Sequence, residues 1–319
     1  MKASVVVCTY AMDRYDAFSE AIESVLAQTH APLELVLVID GNPAVYERTK
    51  ADFGDAAAAH EGVTDVIVHD NDENRGISYS RTKGGELASG DVVAFIDDDA
   101  VAEPDWVERL LDVYEATDAV AVGGDVRPDW QVERPAFFPE EFYWLVGCVE
   151  PGFADHMEEV RNTYGSNISY RREPFLAVGG YDPNTGRKGD RHLQAHEAPV
   201  GVRLLRECGK GMVYTEEAVV HHKLFDYRTD FGWLVARSFW QGYSKRVFDR
   251  LYPDAPDDKN DYLRWLLGER VPGRLRGLAT TPSVPALAQL LAVFAFTAAV
   301  GLGYLYAVLT PGLVERANG

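Results

Sequence analysis

Three consecutive carboxylates, Asp97, Asp98 and Asp99, directly follow the apolar run 92–96. That run has the length and composition of a buried β-strand, so the carboxylates fall where the strand would leave its sheet. Side chains alternate along a strand, which puts Asp97 and Asp99 on one side and Asp98 on the other. Two hard oxygen donors on one side suit Mg²⁺ or Mn²⁺, either of which can carry a diphosphate. The sequence therefore predicts a metal site at Asp97 and Asp99.

The preceding residues predict the elements that would hold this site. A strand over Ser4–Cys8 is followed by apolar residues at helical spacing over Ala17–Leu26, and then by a second strand over Leu33–Ile39. Such a βαβ unit implies parallel strands joined by a right-handed crossover. Ligands of open α/β sheets bind outside the carboxyl ends of the strands. Asp40, which ends the second strand, is therefore a candidate site residue.

Strands and helices continue to alternate as far as residue 123, which predicts an α/β fold with a mostly parallel sheet flanked by helices. Further along the chain, a strand over Met212–His222 would place His222 on one face and His221 on the other.

The composition restricts the class of protein. Fifty acidic residues against 31 basic ones give a formal net charge of −19, and a field of that sign repels the phosphates of nucleic acids. We therefore expect no nucleic-acid partner. Only eight of the basic residues are lysines, and an acidic, lysine-poor surface is typical of proteins from high-salt cytoplasms. The chain is interpreted as halophilic.

The C-terminal part contains an apolar stretch, Val284–Leu309, without a charged residue. As a helix it would extend over roughly 39 Å, more than the roughly 30 Å of a bilayer core. Arg270, Arg274 and Arg276 precede it, so the positive-inside rule leaves the large N-terminal part in the cytoplasm. The sequence thus predicts a cell-membrane protein with one C-terminal transmembrane segment. The alternative is a long buried helix of a soluble domain.

Aromatic and basic residues interleave between Lys223 and Arg250. This pattern suits a helix lying at the membrane interface, and equally an amphipathic helix packed on the domain. The predicted organisation is a catalytic domain over residues 1–225, interfacial helices over 226–282 and a transmembrane anchor over 283–310.

Several segments together resemble one enzyme family. They are, in order, SVVVCTY, SVLAQTHAPLELVLVIDGN, NRGISYSRTKGGELASGDVVAFIDDD, GSNISYRRE, VGGYD and HEAPVGVRLLRECG. This succession resembles glycosyltransferase family 2 over roughly residues 3–225. The resemblance implies the GT-A fold, a nucleotide-sugar donor, a divalent metal and inversion at the transferred sugar.

The resemblance also implies roles for individual residues. Those expected to bind the nucleotide sugar are Thr9, Tyr10, Asp40, Arg81, Asp97 and Asp98. Thr9, Tyr10 and Asp40 fit a uridine pocket, and Arg81 corresponds to an arginine near the base and diphosphate. Asp97 and Asp99 match the metal-binding DxD, and His222 matches a histidine that reaches the metal or the diphosphate. Asp98 belongs to the same cluster, although strand alternation makes it a structural neighbour.

The expected catalytic base departs from the family pattern. The family usually has Glu-Asp before a helix containing Gly-x-Arg, and Gly201 and Arg203 set the register so that His196 and Glu197 occupy those two positions. Glu197 can still take a proton from a hydroxyl acceptor. A phosphate acceptor would need no base. The alternative role of Glu197 is a helix-N-terminal acid stabilised by the helix dipole.

The resemblance therefore implies transfer of a hexose or hexuronic acid from a UDP-sugar to a dolichol-phosphate-linked glycan on the cytoplasmic membrane face, as in protein N-glycosylation. One alternative is a nucleotidyltransferase, but this class would have a glycine-rich basic loop where the chain has CTYAMDRYD. The other alternative is an inactive nucleotide-sugar-binding module.

Overall fold

The computed structural model describes residues 1–182, 197–253 and 259–310. The chain divides into two compact units. The first comprises residues 1–127 and 154–223, and the second comprises residues 128–153 and 224–319. The aromatic-rich segment 128–153 thus belongs with the C-terminal helices rather than with the sheet domain.

A nine-stranded sheet forms the first unit, in the order β3-β2-β1-β4-β8-β6-β9-β5, with β7 paired to β9. The strands are β1 (Ala3–Thr9), β2 (Leu33–Asp40), β3 (Val63–Asn71), β4 (Val92–Asp97), β5 (Ala100–Ala102), β6 (Ala121–Trp130), β7 (Glu159–Val160), β8 (Ile168–Arg171) and β9 (Met212–Leu224).

The direction of the strands changes across the sheet. The pairs β1–β2, β1–β4 and β2–β3 are parallel, as the βαβ pattern predicts. Strand β8 runs antiparallel to both β4 and β6, and β9 runs antiparallel to β5 and β7. The sheet is therefore mixed, with the predicted parallel arrangement confined to its first four strands.

Helices of the first unit connect these strands. They are α1 (Tyr15–Leu26), α2 (Pro43–Phe53), α3 (Ile77–Leu87), α4 (Trp106–Ala116), α5 (Arg172–Ala177) and α6 (Glu197–Cys208). Helix α3 lies close to the sheet, because a Cβ at Gly84 would overlap the side chain of Val6 on β1.

Burial explains why β1, β2 and β4 read as continuous apolar runs. Both faces of these central strands are covered, so nearly every residue is inaccessible. An aromatic cluster packs where α3, α5 and the sheet meet: Phe95, Tyr170, Phe175 and Tyr181 have ring centroids 4.8–6.1 Å apart.

One buried carboxylate, Glu34 on β2, joins three segments of the first unit. Its oxygens accept hydrogen bonds from Ser4 Oγ at 2.5 Å and from Ser89 N and Oγ at 2.7 and 2.5 Å. Lys2 Nζ lies 3.4 Å away. Burial alone would raise the pKa of Glu34, but these hydrogen bonds and the charge of Lys2 outweigh it and lower the pKa below its usual value.

The second unit is helical. Its helices are α7 (Phe231–Leu251), α8 (Lys259–Trp265), α9 (Val271–Thr280) and α10 (Val284–Leu309), and a π-helical turn over Leu266–Arg270 joins α8 to α9. Helices α7 and α10 approach closely through glycines. A Cβ at Gly242 would overlap the carbonyl of Val300, and one at Gly303 would overlap the carbonyl of Phe239.

The aromatic-rich segment packs within the second unit. The rings of Phe138 and Phe142 contact Phe296 of α10, with centroids 6.2 and 5.4 Å apart. Next to them, the fully buried carboxylate of Glu141 accepts hydrogen bonds from Arg270 Nε at 3.0 Å and from Arg274 Nη2 at 2.5 Å. The buried carboxylate of Glu141 thus connects the aromatic-rich segment to the π-helical turn and to α9.

Helix α10 is long and apolar enough to cross a membrane. One of its faces packs against the rest of the second unit through Val293, Phe296 and Gly303. Its other face exposes large apolar side chains along the whole helix: Leu287, Leu291, Phe294, Leu302, Leu305 and Leu309.

Candidate active site

The predicted metal ligands come together in the structure. Single ligand atoms of Asp97, Asp99 and His222 all lie within 4.8 Å of one another. Asp97 is the last residue of β4, and the turn after it leads into β5, where Ala100 pairs with His222 of β9. The backbone N–H of Lys223 donates to the Asp99 carbonyl at 2.8 Å. The pairing of β5 with β9 therefore brings His222 to the carboxylates.

The chemistry of these donors fits a divalent cation. Asp99 and His222 are almost completely buried, whereas the side chain of Asp97 is 33% exposed. Two carboxylates and one imidazole suit Mg²⁺ or Mn²⁺, with the remaining coordination positions left to water or a diphosphate. His221 points away, as strand alternation predicts, and its Nε2 lies 2.7 Å from Glu103 Oε1.

Asp98 directly follows the last residue of β4 and lies against the end of β1. Its carboxylate accepts a hydrogen bond from Thr9 Oγ1 at 2.6 Å and lies 3.3 Å from Arg14 Nη1. Burial, followed by the neighbouring charge of Asp99, raises the pKa of Asp98 to about 7. Asp98 and Thr9 thus connect the end of β1 to the end of β4.

Arg81 contacts carboxylates from two other segments. Its Nη2 donates to Asp97 Oδ1 at 2.5 Å and to the Gly165 carbonyl at 2.9 Å, and its Nη1 lies 3.6 Å from Glu197 Oε1. Burial alone would lower the pKa of Arg81, but the charges of Asp97, Tyr181 and Glu197 outweigh it and raise the pKa. The guanidinium stays charged between the predicted metal ligand and the predicted base.

Asp40 organises the loop before α3. Its carboxylate accepts hydrogen bonds from the backbone N–H of Arg75 at 2.9 Å, from that of Gly76 at 2.8 Å and from Asn71 Nδ2 at 2.8 Å. Gly76 has a φ of +88°, which a glycine adopts without strain. Asp40 therefore sets the conformation of the loop that precedes α3 and Arg81.

Two further predicted residues differ in exposure. The side chain of Tyr10 projects into solvent with 57% of the residue exposed, while its carbonyl accepts a hydrogen bond from Asn42 Nδ2 at 2.8 Å. Glu197 is the first residue of α6, and its side chain is 13% exposed. His196, which shares the departure from the family pattern, lies outside the described residues.

Sequence reasoning did not identify two contributors to this arrangement. Arg14 follows Thr9 in CTYAMDRYD, and its Nη1 reaches both Asp98 and Asp99, at 3.3 and 3.6 Å. Gly165 opens the GSN motif, and a Cβ there would overlap both Arg81 and Glu197. A basic residue in the loop after the first strand was a signal for Arg14, whereas nothing local indicated which side chains would lie against Gly165.

The model of glycosyl transferase family 2 matches residues 4–179, more than half of the chain. The chain belongs to that family. It is 64% identical over 319 residues, which is the full length of both chains, to the glucosyl-dolichyl phosphate glucuronosyltransferase of Haloferax volcanii. A succinoglycan biosynthesis protein of Rhizobium meliloti is 27% identical over 169 residues, 52% of this chain and 50% of the other.

Solved structures show the same fold. The mannosyltransferase of Pyrobaculum calidifontis, solved with GDP-Man and Mn²⁺, superposes with a TM-score of 0.60 at 17% identity, covering 98% of this chain and 87% of that one. Residues 1–349 of TarS from S. aureus superpose with a TM-score of 0.55 at 14% identity, covering 100% of this chain and 87% of that one. The expectation of a GT-A glycosyltransferase is confirmed.

Proposed function

We propose that this glycosyltransferase transfers a hexuronic acid, with inversion, from a UDP-sugar to a glycosyl-dolichyl phosphate. The observation that carries the proposal is the 64% identity, over the full length of both chains, to a glucosyl-dolichyl phosphate glucuronosyltransferase. The Asp97, Asp99 and His222 cluster supports a requirement for Mg²⁺ or Mn²⁺.

The described side chains suggest how the transfer would proceed. Glu197 takes the proton of the acceptor hydroxyl as its oxygen attacks the anomeric carbon. The bond from that carbon to the diphosphate oxygen breaks on the opposite face, through an oxocarbenium-like transition state, and UDP leaves. A cation held by Asp97, Asp99 and His222 would act as a Lewis acid on the departing diphosphate.

The donor half of the site would also use residues around this cluster. Thr9, Tyr10 and Asp40 lie at or just after the ends of β1 and β2, where α/β sheets bind nucleotides. In this proposal Asp40 acts by shaping the loop before α3, and Tyr10 offers an exposed ring to the nucleoside. Asp98 acts by holding Thr9 and Arg14.

The same proposal places the protein on the cytoplasmic side of the cell membrane, attached by α10. The exposed apolar face of α10 supports this attachment. The segment from α8 to α9 exposes Leu263, Leu267 and Leu275 and also carries the basic Arg264 and Arg276. Exposed leucines together with arginines suit a helix lying at the membrane interface.

The test is transfer by the purified full chain, in high salt, to glucosyl-dolichyl phosphate. UDP-glucuronic acid, UDP-glucose and GDP-mannose are offered separately, each with Mn²⁺ and with excess chelator. We expect Mn²⁺-dependent transfer from UDP-glucuronic acid, with the opposite anomeric configuration in the product. Transfer from none of the three donors, or equal transfer by Asp99→Ala, would contradict the proposal.

A further inference from the structure

Four segments of the first unit meet at the guanidinium of Arg81. Arg81 lies on α3, Asp97 ends β4, Glu197 begins α6, and Gly165 precedes β8. The side chain of Arg81 is only 3% exposed, and its guanidinium lies 5.5 Å from the ring centroid of Tyr181. A buried arginine held on several sides has little freedom to follow a ligand.

The contacts of Arg81 lead to one metal-binding carboxylate and one candidate base. Nη2 holds Oδ1 of Asp97, and Nη1 lies against Oε1 of Glu197. The planar guanidinium fixes the angle between these two directions, which the point charge of a lysine cannot do. Asp97 belongs to the donor half of the proposed site, and Glu197 belongs to the acceptor half.

Gly165 provides the space in which this arrangement forms. A Cβ at residue 165 would overlap Oε1 of Glu197 and Nη1 of Arg81, and would lie 3.0 Å from Arg81 Nη2. The φ of Gly165 lies outside the left-handed region, so the backbone itself would accept alanine. A methyl group here would therefore displace side chains rather than strain the chain.

We infer that Arg81 is a positioning residue that holds Asp97 and Glu197 at a fixed separation, with Gly165 as the space that permits it. This inference rests on the proposed function in treating Glu197 as the base. It differs from the role that the family resemblance implies for Arg81, which is that of an arginine near the base and diphosphate of the donor.

Arg81→Lys separates the positioning role from a role in donor binding. The lysine keeps the positive charge but loses the planar guanidinium that contacts Asp97 and Glu197 at once. We expect kcat to fall about tenfold to hundredfold, since displacements near 1 Å at reacting groups have effects of that size. Mn²⁺ binding, followed by electron paramagnetic resonance without any donor, should weaken. The affinity for UDP at saturating Mn²⁺ should stay within about twofold of the wild type. Arg109→Gln is the control. Among the described residues, Arg109 forms ion pairs only with the exposed Asp105 and Asp112, which lie just before and within α4.

Gly165→Ala tests the geometry with every charged side chain retained. We expect Gly165→Ala to lower kcat and the control Gly277→Ala, whose Cβ would meet open space, to keep the wild-type kcat. In a Glu197→Gln background, Arg81→Lys should lower kcat by much less than it does alone, because the partner through which it acts is already altered.

Two results would overturn the inference. One is an Arg81→Lys variant that loses UDP affinity at saturating Mn²⁺ while keeping its kcat, which would assign Arg81 to direct donor contact. The other is wild-type kcat in Gly165→Ala. The Mn²⁺ titrations need neither donor nor acceptor, so they test the link from Arg81 to Asp97 even if the wild type transferred no sugar.

Discussion

Nε2 of His222 lies 3.1 Å from Oδ1 of Asp99, although the two residues are 123 positions apart in the chain. The short antiparallel pair of β5 and β9 brings them together, and the same pairing turns His221 toward Glu103. Two adjacent histidines thus occupy different environments, and only one of them belongs to the predicted metal site.

We expect His222→Ala to weaken Mn²⁺ binding at least about tenfold, which corresponds to about 1.4 kcal/mol. His222 would supply a nitrogen ligand, and its loss leaves two carboxylates to hold the ion. His221→Ala is the matched control and should bind Mn²⁺ like the wild type. Isothermal titration with Mn²⁺ measures both. Equal losses in the two variants would show that the sheet edge, rather than a ligand, had been disturbed.

Glu197→Gln should lower kcat by about 10²–10⁴-fold, the usual contribution of a general base. The amide keeps the size of the side chain but cannot take the proton of a hydroxyl acceptor. Glu197→Asp should retain part of the activity, because a shorter carboxylate remains basic. Radiolabelled transfer to a lipid-linked acceptor measures the rates. Transfer by Glu197→Gln within about threefold of the wild type would show that Glu197 is not the base.

The glycine contact between α7 and α10 leads to a prediction about stability. Gly303→Leu should destabilise the second unit by about 1–3 kcal/mol, because the side chain would overlap the backbone of Phe239. Gly301→Leu, two residues earlier, meets open space and should leave the melting temperature unchanged. Thermal unfolding in detergent, followed by tryptophan fluorescence, compares them. A melting temperature of Gly303→Leu equal to that of Gly301→Leu would refute the close packing.

The lowered pKa of Glu34 predicts a pH-dependent contribution to stability. Since the folded-state pKa lies below the unfolded one, the contribution is complete above the usual glutamate pKa of about 4.3 and disappears as the pH falls through the folded-state value. At pH 7 we expect Glu34→Gln to lower the free energy of unfolding by about 1–3 kcal/mol.

That difference from the wild type should shrink as the pH falls through the lowered folded-state pKa of Glu34, because below it both proteins carry a neutral side chain. Glu216→Gln, at an exposed position, is the control and should follow the wild type. A Glu34→Gln deficit that stayed constant from pH 7 to pH 3 would exclude the ionised state of Glu34 as its cause.

Local patterns predicted much of the fold and the donor side of the site. Apolar runs identified β1, β2 and β4, of which β2 and β4 end in carboxylates, and alternation along β9 turned His221 away from the metal site. Alternation was also expected to place Asp99 beside Asp97, but β4 ends at Asp97, so the turn after β4 places Asp99. Helix α2 was not predicted, because it has few apolar positions at helical spacing. The change from parallel to antiparallel strands after β4 was not predicted either, since strand direction depends on partners distant in the chain.

Two residues that were expected to bind the donor also contact other parts of the protein. Asp40 was expected at the nucleoside, and its carboxylate holds the loop before α3. Arg81 was expected at the donor, and it lies between Asp97 and Glu197. In both cases the residue type suits several roles, and the expected contacts with the donor stay predictions.

The sequence by itself determined the succession of strands and helices, the carboxylates at strand ends, the apolar C-terminal helix and the family, because each depends on residues close together in the chain. Only the tertiary structure decided that His222 meets Asp99, that Arg14 meets Asp98, and that Arg81 contacts Asp97 and Glu197 in the space left by Gly165. The physical reason is that these contacts depend on strand pairing and on the burial of charge between segments, and the free energy of both is set by neighbours that no local pattern specifies.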